Sequence, residues 1–178
     1  MTKLVILDRD GVINYESAQF IKSPAEWNPL PGSLDAIARL HHAGFLVAVA
    51  TNQSGISRGM FDMATLSAIH TKMHRAVNHA GGRIDALFYC PHAATAACSC
   101  RKPKAGMLQS ISERFQMPLA GIWAIGDSHR DLQAAHAAGA EPVLVLTGNG
   151  SETAASGELP PGTRTFADLS AAAQALIG

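Results

Sequence analysis

Acidic side chains follow two separate apolar runs of this sequence. Asp8 and Asp10 come directly after the run 3–7, and because residues i and i+2 of a strand share a face, their carboxylates project to the same side. Asp127 follows the run 122–125. Carboxylates that lie close together repel each other unless a cation lies between them or one keeps a proton. An Asp-x-Asp pair alone is also common in surface turns, but acidic groups after two strands predict a Mg²⁺ site, because this hard cation prefers oxygen ligands.

A polar turn and a basic cluster provide groups that could hold an anion. Residues 51–55 read Thr-Asn-Gln-Ser-Gly, and hydroxyls, amides and backbone N–H groups beside a glycine turn form anion-binding concavities. Residues 101–104 read Arg-Lys-Pro-Lys and concentrate positive charge in a lightly charged chain. An ordinary polar turn and a solvated basic surface are the alternatives for these two segments.

All three cysteines lie in one segment together with a histidine. Cys90, His92, Cys98 and Cys100 form a Cys-x-His pair, a five-residue spacer and a Cys-x-Cys pair. Three thiolates and one imidazole complete the tetrahedral shell of Zn²⁺ and leave no open position, which is typical of a structural zinc site. The alternatives are scattered buried cysteines or a Cys98–Cys100 disulfide, which a single intervening residue would strain.

Two further histidines, His70 and His74, are four residues apart on a predicted helix. That spacing can bind a metal ion, but no third ligand accompanies them. We therefore predict that both lie on a solvated face of the helix.

These groups must be positioned by elements that alternate regularly along the chain. Strands are predicted at 3–7, 46–50, 84–89, 122–125 and 142–146. Helices are predicted at 33–42, 63–80, 104–115, 130–138 and 168–177, with Ser33 and Asp62 as N-caps. Residues 148–163 are predicted to form a mobile loop. Continuous apolar strands indicate burial on both faces. The fold class is therefore a doubly wound, mainly parallel α/β sheet of Rossmann-like type, in which ligands bind beyond the carboxyl ends of the strands.

Composition excludes several classes of protein. The 178 residues include 14 Lys plus Arg and 14 Asp plus Glu, so the net charge is zero, which argues against nucleic-acid and membrane partners. No uncharged apolar run approaches the ~20 residues that a membrane span needs, and no signal peptide precedes the first strand. An odd number of cysteines suits a reducing compartment. We expect one domain over residues 1–178, cytoplasmic and monomeric.

Four segments in chain order resemble the motifs of the haloacid dehalogenase superfamily of phosphatases. They are Asp8-Arg9-Asp10-Gly11-Val12-Ile13, Thr51-Asn52-Gln53-Ser54-Gly55, Arg101-Lys102-Pro103, and Gly126-Asp127 with Asp131. The resemblance spans residues 3 to about 150, and within the superfamily the chain is similar to the heptose-bisphosphate phosphatases, which bind zinc through the same cysteine loop. Cap domains of the superfamily are inserted after the first or third strand. Both segments are short here, so a capless core is expected.

The resemblance implies a Mg²⁺-dependent, two-step phosphoryl transfer. Asp8 would attack phosphorus and form an aspartyl-phosphate. Asp10 would protonate the leaving group and then take a proton from water. The resemblance implies that Asp8, Asp10 and Asp127 bind Mg²⁺ and that Thr51, Asn52 and Lys102 bind the phosphoryl oxygens. Lys104 is an alternative to Lys102. Asp131 is expected to orient its neighbours.

The resemblance also implies the substrate and its contacts. Contact positions are Asp8, Arg9, Asp10, Glu16, Ser17, Ala18, Gln19, Thr51, Asn52, Gln53, Ser54, Arg101 and Lys102. The implied reaction removes the C7 phosphate of D-glycero-D-manno-heptose 1,7-bisphosphate, a sugar phosphate used to supply heptose for lipopolysaccharide. The alternatives are a histidinol-phosphate phosphatase, with the same machinery, and a non-enzymatic, zinc-stabilised module that holds a cation.

Overall fold

A six-stranded parallel sheet forms the middle layer of the computed structural model, which describes residues 3–178; Met1 and Thr2 of the predicted domain lie outside the described part. The strands are β1 (Lys3–Leu7), β2 (Phe45–Asn52), β3 (Ala86–Cys90), β4 (Trp123–Gly126), β5 (Glu141–Val145) and β6 (Arg164–Phe166), in the order β3-β2-β1-β4-β5-β6. The helices are α1 (Ser33–His42), α2 (Met63–His79), α3 (Gly106–Phe115), α4 (His129–Ala138), α5 (Gly150–Ala155) and α6 (Leu169–Ile177).

Helices cover both faces of this sheet. Side chains of β1 alternate between two apolar layers, because successive residues of a strand point to opposite faces. Val5 and Leu7 pack in a core with residues of α1, α2 and α6, whereas Leu4 and Ile6 pack in a second core with residues of α3 and α4. The predicted doubly wound parallel sheet is confirmed, with six strands where five were expected.

The segment 148–163, predicted to be a mobile loop, contains a helix instead. Residues Gly150–Ala155 form α5, and residues 156–163 lead without helix or strand to β6. The hydroxyl of Thr153 in α5 is buried and donates to the carbonyl of Asp127 at 2.8 Å. This tertiary contact fixes a helix of six residues that the local sequence is too short to specify.

The two predicted N-caps have different outcomes. Asp62 accepts a hydrogen bond from the backbone N–H of Thr65 at 2.8 Å and caps α2 as expected. The N-cap of α1 is Gly32, so the prediction for Ser33 is wrong. Ser33 lies inside the helix, where its hydroxyl donates to the carbonyl of Val12 at 2.7 Å and ties α1 to the segment after β1.

Neither segment at which a cap could be inserted forms a separate layer. Residues 11–32 contain a short 3-10 helix, Pro24–Glu26, and residues 91–105 contain no helix or strand. The carboxyl end of the sheet is therefore covered by loops alone. Within residues 3–178 no helix combines the length and apolar character needed to cross a membrane.

Candidate active site

The carboxyl ends of the central strands surround a cavity of about 220 Å³. β1 pairs with β2 on one side and with β4 on the other, so the segments after these strands meet at the point where the strand order reverses. Among the sequence-predicted residues, the cavity is lined by Asp8, Asp10, Glu16, Ser17, Ala18, Thr51, Asn52, Gln53, Ser54, Arg101, Lys102, Asp127 and Asp131.

Asp127 occupies a slot between two glycines. Gly11 and Gly148 both have positive φ angles, of 80° and 58°, and a methyl group at either position would overlap the carboxylate of Asp127. The backbone N–H of Asn149 donates to Oδ2 of Asp127 at 2.8 Å. The side chain is consequently held in one orientation after β4 and is only 2% exposed.

Lys102 connects the first and fourth strands through buried contacts. Its Nζ donates to the carbonyl of Ala50 at 2.7 Å and lies 2.6 Å from Oδ1 of Asp131 and 3.0 Å from Oδ1 of Asp8. Burial opposes its charge, but Asp131 and Asp8 outweigh burial and raise the pKa of Lys102 above its usual range. The side chain is therefore a fixed positive charge at the floor of the cavity.

Asp131 is saturated with donors. Its Oδ2 accepts from the backbone N–H groups of Asp127 and Ser128 and from the hydroxyl of Ser128, at 2.8–3.1 Å. Its Oδ1 accepts from Lys102. Burial opposes ionisation, but Lys102 and these donors hold the pKa of Asp131 below its usual range. A carboxylate engaged in this way orients the loop after β4 and the lysine, which agrees with the role expected for it.

The electrostatics of Asp8 and Asp127 fit a divalent cation. Burial, followed by the charge of Asp131, raises the pKa of Asp8 well above its usual range. Burial and Asp131 likewise raise the pKa of Asp127 to about 7. Carboxylate oxygens of Asp8, Asp127 and Asp131 all lie within 4.8 Å of one another. Two desolvated carboxylates at this distance need protons or a cation between them, and Mg²⁺ suits the all-oxygen set.

Asp10 is held by side chains behind and beside it. Nε and Nη2 of Arg9 donate to its two carboxylate oxygens at 2.9 and 3.1 Å. Asn14 and Gln53 add donors at 2.9 and 3.1 Å, and the amide of Gln53 also donates to the hydroxyl of Thr51 at 2.9 Å. The carboxylate of Asp10 and the hydroxyl of Thr51 are thus positioned by one hydrogen-bonded group.

The polar turn after β2 binds the basic segment directly. The side-chain amide of Asn52 donates to the carbonyl of Lys102 at 3.0 Å, and its Oδ1 accepts from the N–H of the same residue at 3.0 Å. This double hydrogen bond fixes the backbone of Lys102 against β2. Lys104, the rival lysine, is exposed, does not line the cavity and donates to the carbonyl of Cys98.

The four predicted zinc ligands converge in the loop after β3. Sγ of Cys90 lies 3.4 Å from Nδ1 of His92 and 3.9 Å from Sγ of Cys98, and Nδ1 of His92 lies 3.3 Å from Sγ of Cys100. A tetrahedron with Zn–S bonds of about 2.3 Å and a Zn–N bond of about 2.0–2.1 Å has edges of about 3.5–3.8 Å. The observed separations therefore match the edges of a zinc shell.

Two residues predicted to contact substrate lie elsewhere. The side chain of Arg9 is fully buried and does not line the cavity, and Gln19 is exposed outside it. The cavity also has lining residues that the motifs do not include: Phe20, Arg58, Ser128, Arg130 and Asn149. Asn149 follows β5, so the rule that ligands bind beyond strand ends could have identified it.

Comparisons with known proteins place this geometry in context. A family model described as polynucleotide kinase 3 phosphatase matches residues 3–133, and one described as HAD-hydrolase-like matches residues 99–172. D-glycero-beta-D-manno-heptose-1,7-bisphosphate 7-phosphatases from Bordetella bronchiseptica and Pseudomonas putida are 58% and 54% identical over 175 residues, which is 98% of this chain and 98% and 99% of theirs.

Solved structures extend the similarity to the fold. The crystal structure of D,D-heptose 1,7-bisphosphate phosphatase from B. bronchiseptica, complexed with magnesium and phosphate, has a TM-score of 0.98 at 58% identity and covers 99% of this chain and 98% of that one. The enzyme from Burkholderia thailandensis has a TM-score of 0.80 at 54% identity, covering 99% of both chains.

Proposed function

The chain belongs to the D-glycero-beta-D-manno-heptose-1,7-bisphosphate 7-phosphatase family of HAD-like phosphatases, and from that premise we propose that it is a Mg²⁺-dependent phosphatase that hydrolyses the C7 phosphate of this sugar bisphosphate. The names of the relatives specify the β anomer, which the sequence motifs do not distinguish. The same relatives disfavour histidinol phosphate as the substrate. A module that only binds a cation would have no need of the hydrogen bonds that orient Asp10 and Thr51.

The first chemical step forms a bond between Asp8 and phosphorus. One carboxylate oxygen of Asp8 attacks the C7 phosphate, the P–O bond to the sugar breaks, and Asp10 transfers a proton to the departing sugar oxygen. We expect Lys102 and the hydroxyl of Thr51 to hold the phosphoryl oxygens, on which charge is spread in the transition state. The aspartyl-phosphate on Asp8 retains the phosphoryl group when the sugar leaves.

The second step returns the protein to its starting state. Asp10, now deprotonated, takes a proton from a water molecule, whose oxygen attacks phosphorus as the bond to Asp8 breaks. The products are inorganic phosphate and a free Asp8 carboxylate. Asp8, Asp127 and the backbone carbonyl of Asp10 are the groups that would hold Mg²⁺. When bound, the ion would neutralise charge between the phosphate and these carboxylates.

One observation carries this proposal: Asp8 and Asp127, 119 positions apart in the sequence, meet in one cavity whose floor is the buried ammonium group of Lys102. The test compares kcat/KM for both anomers of the heptose bisphosphate and for histidinol phosphate, with Mg²⁺ and after chelation. We expect the β anomer to be preferred by about tenfold or more, since charge and hydrogen-bond contacts discriminate strongly. Chelation should abolish turnover.

A variant tests the nucleophile. Asp8→Asn should abolish turnover with little change in melting temperature, because an amide cannot form the aspartyl-phosphate. Asp35→Asn, which removes an exposed carboxylate on α1, is the matched control and should retain full activity. Activity of Asp8→Asn near that of the wild type would refute covalent catalysis by this residue.

We also propose a structural zinc ion on Cys90, His92, Cys98 and Cys100. The tetrahedral edges support it. In the absence of metal, the backbone N–H of Arg101 lowers the pKa of Cys98 to about 6, whereas burial raises the pKa of Cys90 to about 12. A bound ion would fix the backbone that leads into Lys102. Elemental analysis should find one zinc per chain, and Cys98→Ser should lose zinc and lower the melting temperature. Metal-free wild-type protein with normal stability and activity would refute the site.

We propose that the enzyme works as a monomer in the cytoplasm, where its cysteines stay reduced. Sedimentation at enzyme concentrations used for kinetics should give the mass of one chain, and a dimer would contradict this part of the proposal.

A further inference from the structure

Arg9 and His70 are buried together beneath the candidate active site. The Arg9 side chain is 0% exposed, and His70 is 8% exposed although its position on α2 predicted a solvated face. That prediction is wrong because α2 packs its His70 side toward the loop after β1, where Nη1 of Arg9 lies 3.1 Å from Nε2 of His70. A guanidinium group in such a place needs an acceptor for each buried N–H group.

The chemistry of the pair assigns the proton of His70. Arginine can only donate, so Nε2 must accept and the imidazole proton must reside on Nδ1. Burial, then the charges of Arg9 and His74, lower the pKa of His70 to about 3. The imidazole is therefore a neutral acceptor at every pH at which the enzyme would work.

The other nitrogens of the same guanidinium group hold Asp10. Nε and Nη2 engage both carboxylate oxygens, with an N–O separation as short as 2.8 Å. The guanidinium group is planar and rigid, so its three nitrogens move together. The hydrogen bond from Nη1 to His70 therefore also fixes the plane in which Nε and Nη2 meet the carboxylate of Asp10. Fixing Nη1 on α2 therefore fixes the carboxylate of Asp10 in the cavity.

We propose that His70 is a positioning residue that acts through Arg9 to hold Asp10 in the orientation required for proton transfer. His70 does not line the active-site cavity. The proposal rests on the proposed function, because Asp10 transfers protons only if the chain is a phosphatase of this family.

Loss of the acceptor should affect catalysis more than binding. Without it, Nη1 of Arg9 is left buried and unpaired, and the guanidinium group rotates to find another partner. Asp10 then spends less time in line with the leaving oxygen. Positioned acid–base catalysis contributes about 10²–10⁴ in rate, so a partial loss of position should lower kcat by about tenfold while KM changes less than about twofold.

The experiment compares three variants on the heptose bisphosphate at saturating Mg²⁺. His70→Leu removes the acceptor and should lower kcat by about tenfold. His70→Gln keeps an oxygen near the position of Nε2 and should retain about half or more of the wild-type kcat. His74→Leu, one helical turn away with no hydrogen bond to Arg9, is the control and should match the wild type. If His70→Leu does not fold, His70→Asn, whose shorter side chain cannot reach Arg9, replaces it.

A second substrate separates positioning from a general loss of structure. Nitrophenolate leaves without protonation, so single-turnover release from p-nitrophenyl phosphate should keep its wild-type rate in His70→Leu, while release of the sugar slows about tenfold. A kcat of His70→Leu within twofold of the wild type, an equal loss in His70→Gln, or equal slowing of both substrates would each overturn the proposal. A wild-type protein that hydrolyses neither substrate would instead refute the proposed function.

Discussion

Replacing Asp127 by asparagine should change how the stability of the metal-free protein depends on pH. Burial and Asp131 raise the pKa of this carboxyl group from 3.8 to about 7 in the folded state. Well below pH 3.8 it is protonated in both the folded and unfolded states and has no effect. Between pH 3.8 and about 7 the unfolded state ionises while the folded state keeps its proton, so stability falls as the pH rises because the folded state binds more protons than the unfolded one. Above about pH 7 the group is ionised in both states and the loss levels off.

The size of the loss follows from the same values. A difference of one in pKa corresponds to about 1.4 kcal/mol, so the rise from 3.8 to about 7 implies a total loss of about 4 kcal/mol, of which about 3 kcal/mol falls between pH 5 and pH 8. Asp127→Asn has no such titration. At high pH, Mg²⁺ at a concentration of 100 times its dissociation constant should raise the free energy of unfolding of the wild type by about 3 kcal/mol. It should not raise that of the variant.

Urea unfolding at pH 5 and pH 8, with and without Mg²⁺, measures these differences. Without metal, the free energy of unfolding of the wild type minus that of Asp127→Asn should fall by about 3 kcal/mol between the two values of pH. Subtracting the free energy of unfolding of Asp127→Asn from that of the wild type cancels the contributions of all carboxyl groups that titrate alike in the two proteins. Parallel pH profiles for the two proteins, or equal stabilisation of both by Mg²⁺, would show that Asp127 is not the desolvated metal ligand described above.

Three further substitutions, one of them with a matched control, probe the floor and the rim of the cavity. Lys102→Met leaves two buried carboxylates without their cation, so urea unfolding at pH 7.5 should show a loss of about 3–5 kcal/mol that shrinks at pH 5, where the carboxyl groups protonate; an equal loss at both pH values would contradict this. Gly148→Ala should displace the carboxylate of Asp127 and weaken Mg²⁺ binding in calorimetry by about tenfold, whereas Gly139→Ala, with a similar positive φ of 77° and open space around it, should lower stability by about 1–2 kcal/mol and leave Mg²⁺ binding unchanged. Arg130→Ala removes an exposed cation at the cavity rim. It should raise KM for the bisphosphate about tenfold and leave KM for a monophosphate within about twofold, because the second phosphate carries about two more charges to pair. Equal effects on both substrates would show that Arg130 does not bind the second phosphate.

The sheet and the meeting of most predicted residues in one cavity could be predicted because they obey periodic rules. Asp8 and Asp10 share a face by the two-residue repeat of a strand, and Asp127 joins them because β1 and β4 are parallel neighbours. The convergence of the three cysteines with His92, for which we propose a zinc ion, was predictable from donor type and spacing alone. Each of these inferences needs only local sequence and the topology of a parallel sheet.

The missed features depend on contacts between distant segments. β6 has three residues and is defined by its pairing with β5, not by a local apolar pattern. His70 reads as one side of an amphipathic helix, and only the approach of Arg9 from 61 positions away makes it a buried acceptor. The slot around Asp127 requires two glycines from different loops to meet, and spacing along the chain does not reveal such a meeting.

The cavity has a buried floor and an exposed mouth, and substitutions in these two parts have different consequences. At its floor, Lys102, Asp127 and Asp131 are almost fully enclosed and bound to one another or to backbone groups, so a substitution there disturbs several strand ends at once. At its mouth, exposed side chains such as Glu16 and Arg130 lie on loops or at a helix start, and no described residue forms a salt bridge with either. Residues at the mouth can therefore change, and the enzyme can accept a phosphate ester of a different alcohol, without any change in the buried residues proposed to act on phosphorus.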